Sequence, residues 1–131
     1  PPDGTAGLPI RQLLANATRD GLQARITSDP PANFCRPSVD PMLRSAATAC
    51  DGRVLVAMLT GMGQDGLIGT RRVIEAGGSA VAQDEATSVV WGMPGAVVQS
   101  SLADEICALT AVGPRTAQLV SGRQRQKVAQ R

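Results

Sequence analysis

The stretch Val54-Leu55-Val56-Ala57-Met58-Leu59 is uninterrupted apolar and runs directly into Thr60-Gly61-Met62-Gly63-Gln64-Asp65-Gly66. A helical pattern with Leu67, Val73 and Ile74 on one face follows, stopped by Gly77-Gly78, and then comes Ser79 to Gln83, a second strand. An apolar run without alternation is the signature of a strand buried on both faces. Strand, glycine turn, helix and strand with short connections require a right-handed parallel crossover. The expected fold class is therefore α/β, a Rossmann-like parallel sheet with helices on both faces in three layers. In such sheets, sites gather outside the carboxyl ends of the strands. Here that edge carries both Gly61–Gly66 and Asp84–Ser88.

The glycine turn fits more than one chemistry. Gly61-x-Gly63-x-x-Gly66 has the form of a dinucleotide fingerprint, and Asp84 ends the next strand about 20 residues on, as that fingerprint asks. Against this stands Asp65, whose carboxylate occupies the place where a pyrophosphate would dock and would repel it. Alternatively Asp65 is the working group. A carboxylate on a strand-end turn suits the third member of a Ser-His-Asp triad, with loop N–H groups binding an oxyanion. The structural alternative is a first-turn acid that complements the helix dipole.

Away from the turn, Val39, Met42, Leu43, Ala46, Ala47 and Cys50 recur at helical spacing, with Ser38 placed to cap, Pro41 in the first turn and Asp51-Gly52 as the stop. Leu22–Thr27 alternates apolar and polar, as a half-exposed strand does. Ile10–Ala17 has weak helical spacing, Arg19-Asp20-Gly21 reads as a turn, and Ser28–Pro37 as a proline-rich surface linker. Pro94 fits the start of a short helix to Val98. Ala103–Leu109 reads as a last strand, Gly113-Pro114 as the opening of a final helix reaching Val120, and Ser121–Arg131 as a basic flexible tail.

Four segments in order carry a resemblance: Arg36-Pro37-Ser38-Val39-Asp40, Leu59–Gly66, Glu75-Ala76-Gly77-Gly78, and Ala82 through Pro94 (AQDEATSVVWGMP). Together, over about Leu22 to Leu119, they resemble the C-terminal half of the catalytic domain of CheB-type chemotaxis methylesterases, the protein-glutamate methylesterase/glutaminases. The resemblance implies hydrolysis of glutamyl methyl esters and deamidation of glutamines on cytoplasmic chemoreceptor helices, by a Ser-His-Asp mechanism with no cofactor and no metal. It assigns Asp65 as triad acid and the Met62 backbone N–H to the oxyanion hole. Gly61, Gly63, Asp84, Glu85, Thr87, Ser88, Trp91 and Met93 become cleft candidates, though residues 84–88 read first as turn caps and Trp91 first as a packing residue. Arg36 could pair with a carboxylate of the cleft or stay solvated.

The family's serine and histidine have no counterpart here. The chain holds no histidine, and none of its serines sits in a Gly-x-Ser-x-Gly elbow. It therefore looks like a domain truncated on its N-terminal side: residues 1–21 poorly assigned, 22–120 a partial catalytic domain and 121–131 a tail. The implied partners are methylated receptor helices, a phosphoacceptor receiver domain and the missing N-terminal half. A non-catalytic interaction module is the alternative from another class.

Composition narrows the remaining classes. A formal charge of +2 argues for neither nucleic acid nor membrane binding. No apolar run approaches the roughly 20 residues that span a bilayer. Pro1-Pro2-Asp3-Gly4 lacks the basic and apolar regions of a secretory signal, so none is expected. Cys35, Cys50 and Cys107 have no metal spacing and read as reduced cytoplasmic thiols.

Overall fold

The computed structural model describes residues 11–130, with the side chains of 123–130 left aside. The chain runs β1 (Gln12–Thr18), β2 (Gly21–Thr27), α1 (Val39–Ala49), β3 (Leu55–Met58), α2 (Leu67–Glu75), β4 (Ser79–Gln83), α3 (Gly92–Gln99), β5 (Glu105–Cys107) and α4 (Leu109–Gln130). Strands β3, β4 and β5 form a parallel sheet in that order, and β1 pairs with β2 in a separate antiparallel hairpin.

The central unit follows the sequence pattern. Register sets Val56 beside Ala80 and Met58 beside Ala82, so these four share a sheet face. Val56, Met58 and Ala80 join Leu43 and Ala47 of α1, Val73 of α2 and Val97 of α3 in one core cluster. Each fully buried Val or Leu side chain there contributes roughly 1.5–3 kcal/mol. The opposite face alternates to Ala57 and Val81. Val81 is fully buried, as is Val112 of α4 nearly so, but Ala57 is exposed and Leu59 is 40% exposed. The expectation that β3 is buried on both faces therefore holds on one face only. All five residues of β4, the central strand, are buried.

Other elements depart from the sequence reading. The arm that reads as weak helix over Ile10–Ala17 is strand β1, and it is the partner that β2 requires; Ile10 itself lies outside the described residues. Leu13, Ala15 and Ala17 face Ile26, Ala24 and Leu22 across the hairpin, a regular period of two hidden by the Leu13-Leu14 doublet. Gln12 fastens the hairpin to the body: its buried side chain accepts from the Ser38 N–H at 2.9 Å and donates to Pro30 O at 2.9 Å. The Ala15 N–H adds a 2.8 Å bond to Ser45 Oγ of α1.

The last strand shortens to Glu105–Cys107, and just before it Asp104 meets Ala80 of β4 twice, its N–H donating to Ala80 O at 2.8 Å and its carboxylate accepting from the Ala80 N–H at 2.9 Å. The final helix begins at Leu109, not at Gly113-Pro114. Thr87 Oγ1 accepts the Leu109 N–H at 3.0 Å and starts it, and Pro114 falls inside it. The helix continues to Gln130, through the basic stretch that reads as a tail; Arg131 lies outside the described residues. Arg115 of α4 grips Glu105 of β5 through an ion pair. That hydrogen-bonded guanidinium holds the Glu105 carboxyl below its usual range, and the carboxylate in turn raises Arg115.

Among the described residues β3 has one strand neighbour, β4, so its other side is a free parallel edge beside the exposed Ala57. Free edges of this kind recruit further strands. We expect the purified 131-residue protein to self-associate reversibly in analytical ultracentrifugation, and Ala57→Lys to weaken that association. A monodisperse monomer with a cooperative, high-temperature melt would contradict the expectation.

Candidate active site

The turn after β3 is built by backbone packing. Thr60 is fixed from two directions: its N–H donates to the buried Gln83 Oε1 at 2.8 Å, and its hydroxyl donates to Val90 O at 2.8 Å while accepting from the Val90 N–H at 2.9 Å. Gly61 continues as a parallel bridge to Trp91, its N–H donating to Val90 O and its carbonyl accepting from Met93 N, each at 2.9 Å. The glycines here are required by this contact. A Cβ on Gly61 would stand 2.4 Å from Met93 Sδ, and one on Gly92 would stand 2.8 Å from the Gly63 nitrogen. Gly63 and Gly66 turn the chain at φ of +82° and +96°. The glycine pattern is thus accounted for locally, Gly61 by its packing against Met93, and Gly63 and Gly66 by their positive φ, with Met58 and Val39 crowding Gly66.

The turn delivers Asp65 to the N-terminus of α1. Asp65 Oδ2 accepts from the Val39 N–H at 2.7 Å, and Oδ1 accepts from the Asp40 N–H at 3.1 Å and from Asn33 Nδ2 at 3.1 Å. Ser38 occupies the cap position but makes no side-chain cap bond, so Asp65 performs the task expected of it. The favour is returned. Asp40, in the first turn of α1 and 3% exposed, accepts from the Gly69 N–H of α2 at 2.7 Å and from Asn33 Nδ2 at 2.7 Å. Each helix N-terminus is capped by a carboxylate belonging to the other, and one asparagine amide bridges both. Gly69 permits the approach: a Cβ there would lie 2.6 Å from Leu43 Cβ. A buried carboxylate is costly unless fully bonded, and here the orphan N–H groups of two helices supply the bonds.

Asp65 is half-buried, and its oxygens are not exhausted. A carboxylate offers about four acceptor positions. Among the described residues three donors reach it, two on Oδ1 and one on Oδ2, which leaves one position on Oδ2. The Met62 side chain is 81% exposed, and its N–H has no acceptor among the described residues.

The remaining candidates divide by position. At the end of β4, Asp84 Oδ1 accepts from the Thr87 N–H at 3.0 Å and, more closely, from its hydroxyl at 2.6 Å. Ser88 Oγ donates to Asp84 O at 2.7 Å. These three lock the 84–88 turn, in keeping with the capping alternative, while Glu85 is exposed. Trp91 donates its Nε1–H to Gln83 O at 2.8 Å and lays its ring on Gly95, and Met93 packs against Gly61. Trp91 and Met93 therefore support the loop from behind. Among the described residues Arg36 reaches Asp29 O, at 3.4 Å, and no carboxylate of the cleft. Burial, and then the Glu105 charge, push the Cys107 thiol up, so it is a poor thiolate nucleophile. Among the described residues no His, Cys, Asp and Glu side chains cluster as a metal site would need.

Sequence reading missed Asn33. It sits in the stretch that reads as surface linker, and nothing local marks it. Its partners are 7 and 32 residues away.

A parallel α/β sheet with an acid-bearing turn at a strand's carboxyl end defines the class, an α/β domain with a strand-end site. Within that class, the chain belongs to the CheB methylesterase family, whose sequence model matches residues 4–116. The Nocardioides sp. protein-glutamate methylesterase/protein-glutamine glutaminase is 52% identical over 113 residues, covering 85% of this chain and 31% of that protein. The Azospirillum brasilense protein of the same name is 59% identical over 90 residues, 68% of this chain and 23% of its own length. The crystal structure of the Thermotoga maritima CheB methylesterase catalytic domain superposes with a TM-score of 0.81 at 31% identity, covering 85% of this chain and 59% of that one. The chain thus spans under a third of these two relatives' length. The expected fold and family are both established by this agreement.

Replacing Asp65 removes acceptors from two first-turn N–H groups of α1 and from Asn33. We expect Asp65→Ala to destabilise the protein by about 1–2 kcal/mol, the range for loss of a helix cap. Urea denaturation followed by circular dichroism measures this, and an unchanged midpoint would show that Asp65 does not cap α1 in solution.

Proposed function

We propose that this chain supplies the acid-bearing side of a protein-glutamate methylesterase/glutaminase site that acts on chemoreceptor helices in bacterial chemotaxis. The observation that carries the reading is the Asp65 carboxylate, held at the end of β3 by three donors with one acceptor position left over. A triad acid needs that arrangement. It must be immobile, and it must keep one lone pair for an imidazole N–H, so that the histidine stays in the tautomer that accepts the nucleophile's proton. Serine attack on the acyl carbon, proton transfer through histidine and hydrolysis by water then need no metal or cofactor. The Met62 N–H, three residues away on the same pinned turn, is the donor for the oxyanion.

Exposure of the rim supports a protein substrate. Phe34, Met62 and Val89 are the most exposed large apolar side chains among the described residues. All three stand where segments meet around the loop: Phe34 next to Asn33, which bonds Asp65, and Val89 next to Val90, which bonds Thr60 and Gly61. Exposed apolar groups gathered at a site are suited to docking a macromolecule. The proposed site meets receptors from the cytoplasm, within a two-component pathway. Among the described residues no helix is long and apolar enough to cross a membrane. A receiver domain, supplied with the serine- and histidine-bearing part of the enzyme, is the proposed regulatory partner.

Because these 131 residues contain no histidine, we expect them alone to release no methanol from methylated receptor. Placed over the 113 matched positions of the Nocardioides relative, they should sustain methylesterase activity, and Asp65→Asn should lower kcat by about 10³–10⁴. Full activity of the Asp65→Asn enzyme would contradict the reading.

A further inference from the structure

Asn33 occupies the first left-handed corner of a turn whose second corner, Phe34, is costly for its residue type, and the Asn33 side chain makes contacts that explain why the turn persists. Ala32 and Cys35 exchange two hydrogen bonds, Ala32 N to Cys35 O at 3.0 Å and Cys35 N to Ala32 O at 2.9 Å, so residues 33 and 34 form the tip of a two-residue hairpin. Both tip residues have positive φ, +53° at Asn33 and +62° at Phe34. Turns of this kind favour Asn followed by Gly. A phenylalanine at the second corner is unfavourable, so the local sequence alone does not explain why the turn persists.

The Asn33 side chain does. Its single amide nitrogen lies 2.7 Å from Asp40 Oδ2 and 3.1 Å from Asp65 Oδ1, so its two hydrogens serve two different carboxylates. Asp40 and Asp65 would otherwise repel, since Asp65 Oδ1 also bonds the backbone N–H of Asp40 at 3.1 Å. A neutral double donor between them relieves the repulsion without adding a positive charge that would compete with the imidazole for the Asp65 carboxylate. The other charged group joined to this cluster is Asp40 from α1. The ion pair present among the described residues, Arg115–Glu105, belongs to β5 and α4.

We infer that Asn33 is a positioning residue of the site: its amide fixes the rotation of the Asp65 carboxylate, so that the unused Oδ2 position points at one place. Val39 N holds Oδ2 and Asp40 N holds Oδ1, and the Asn33 amide adds the side-chain donor that ties Oδ1 to Asp40. The inference rests on Asp65 being the acid of the site.

Asn33→Gly is the discriminating variant. Glycine adopts positive φ more easily than asparagine, so the turn is kept or improved and only the amide is lost. In the 131-residue protein, amide hydrogen exchange at Val39 and Asp40, the N–H groups that Asp65 accepts from, should quicken by about tenfold while the rest of α1 keeps its protection. In the Nocardioides enzyme carrying these residues, the same variant should lower kcat by about tenfold and leave KM unchanged. A role in shaping the turn alone would leave both readouts as in the parent. Unchanged exchange at Val39 and Asp40, or unchanged kcat where Asp65→Asn abolishes activity, overturns the inference alone. An Asp65→Asn enzyme with full activity overturns the reading beneath it, and the inference with it.

Discussion

Two helices begin at the same place in this protein, and each lacks what its own sequence should provide. Helix α1 has Ser38 at its cap position without a capping bond, and α2 is preceded by Gly66 in a left-handed conformation with no side chain to offer. The orphan N–H groups of both ends are satisfied across the gap, by Asp65 for α1 and by Asp40 for α2. Capping in trans has a consequence that capping in cis lacks. The carboxylate that stabilises one helix is located by the other, so helix packing, loop shape and carboxylate position become one problem with one solution. The hydrophobic core sets the helix separation, Gly69 lets the backbones close, and among the described residues the acid at the end of β3 is held without a lysine or arginine.

That economy suits the chemistry of the family. An acid whose task is to orient an imidazole should be ionised, fixed and still able to accept one more bond. Three donors remove rotational freedom from the Asp65 carboxylate. The loop that carries Asp65 is braced from behind by Thr60, Gly61 and their bonds to Val90 and Met93, and Gln83 and Trp91 brace the next layer. Among the described residues, the Phe34, Met62 and Val89 side chains stay exposed around this loop, and in the proposed function they and the Met62 N–H meet the substrate.

Much of this was legible in the chain. Val54–Leu59, the glycine turn and Ser79–Gln83 announce a parallel crossover because each signal is local and strong, and a strand-end acid such as Asp65 stands out against it. The rest depends on distance along the chain. Strand β1 looks helical because Leu13 and Leu14 are adjacent, and only pairing with β2 sorts them onto opposite faces. Helix α4 starts four residues before Gly113 because a threonine from the β4 turn accepts its first N–H. Asn33 looks like linker because the two carboxylates it serves are assembled by folding. Periodicity reports neighbours; the site is made of residues that are not neighbours in sequence.

The reciprocal cap makes a quantitative claim, that Asp40 and Asp65 act together. A double-mutant cycle of Asp40→Ala and Asp65→Ala, with stability measured by denaturant unfolding, tests it directly. If each carboxylate holds the helix end that positions the other, the two losses are coupled by about 1 kcal/mol or more, and the double variant is less destabilised than the sum. Losses that add within about 0.3 kcal/mol would mean two independent caps, and the account of a site fixed by the mutual capping of α1 and α2 would be wrong.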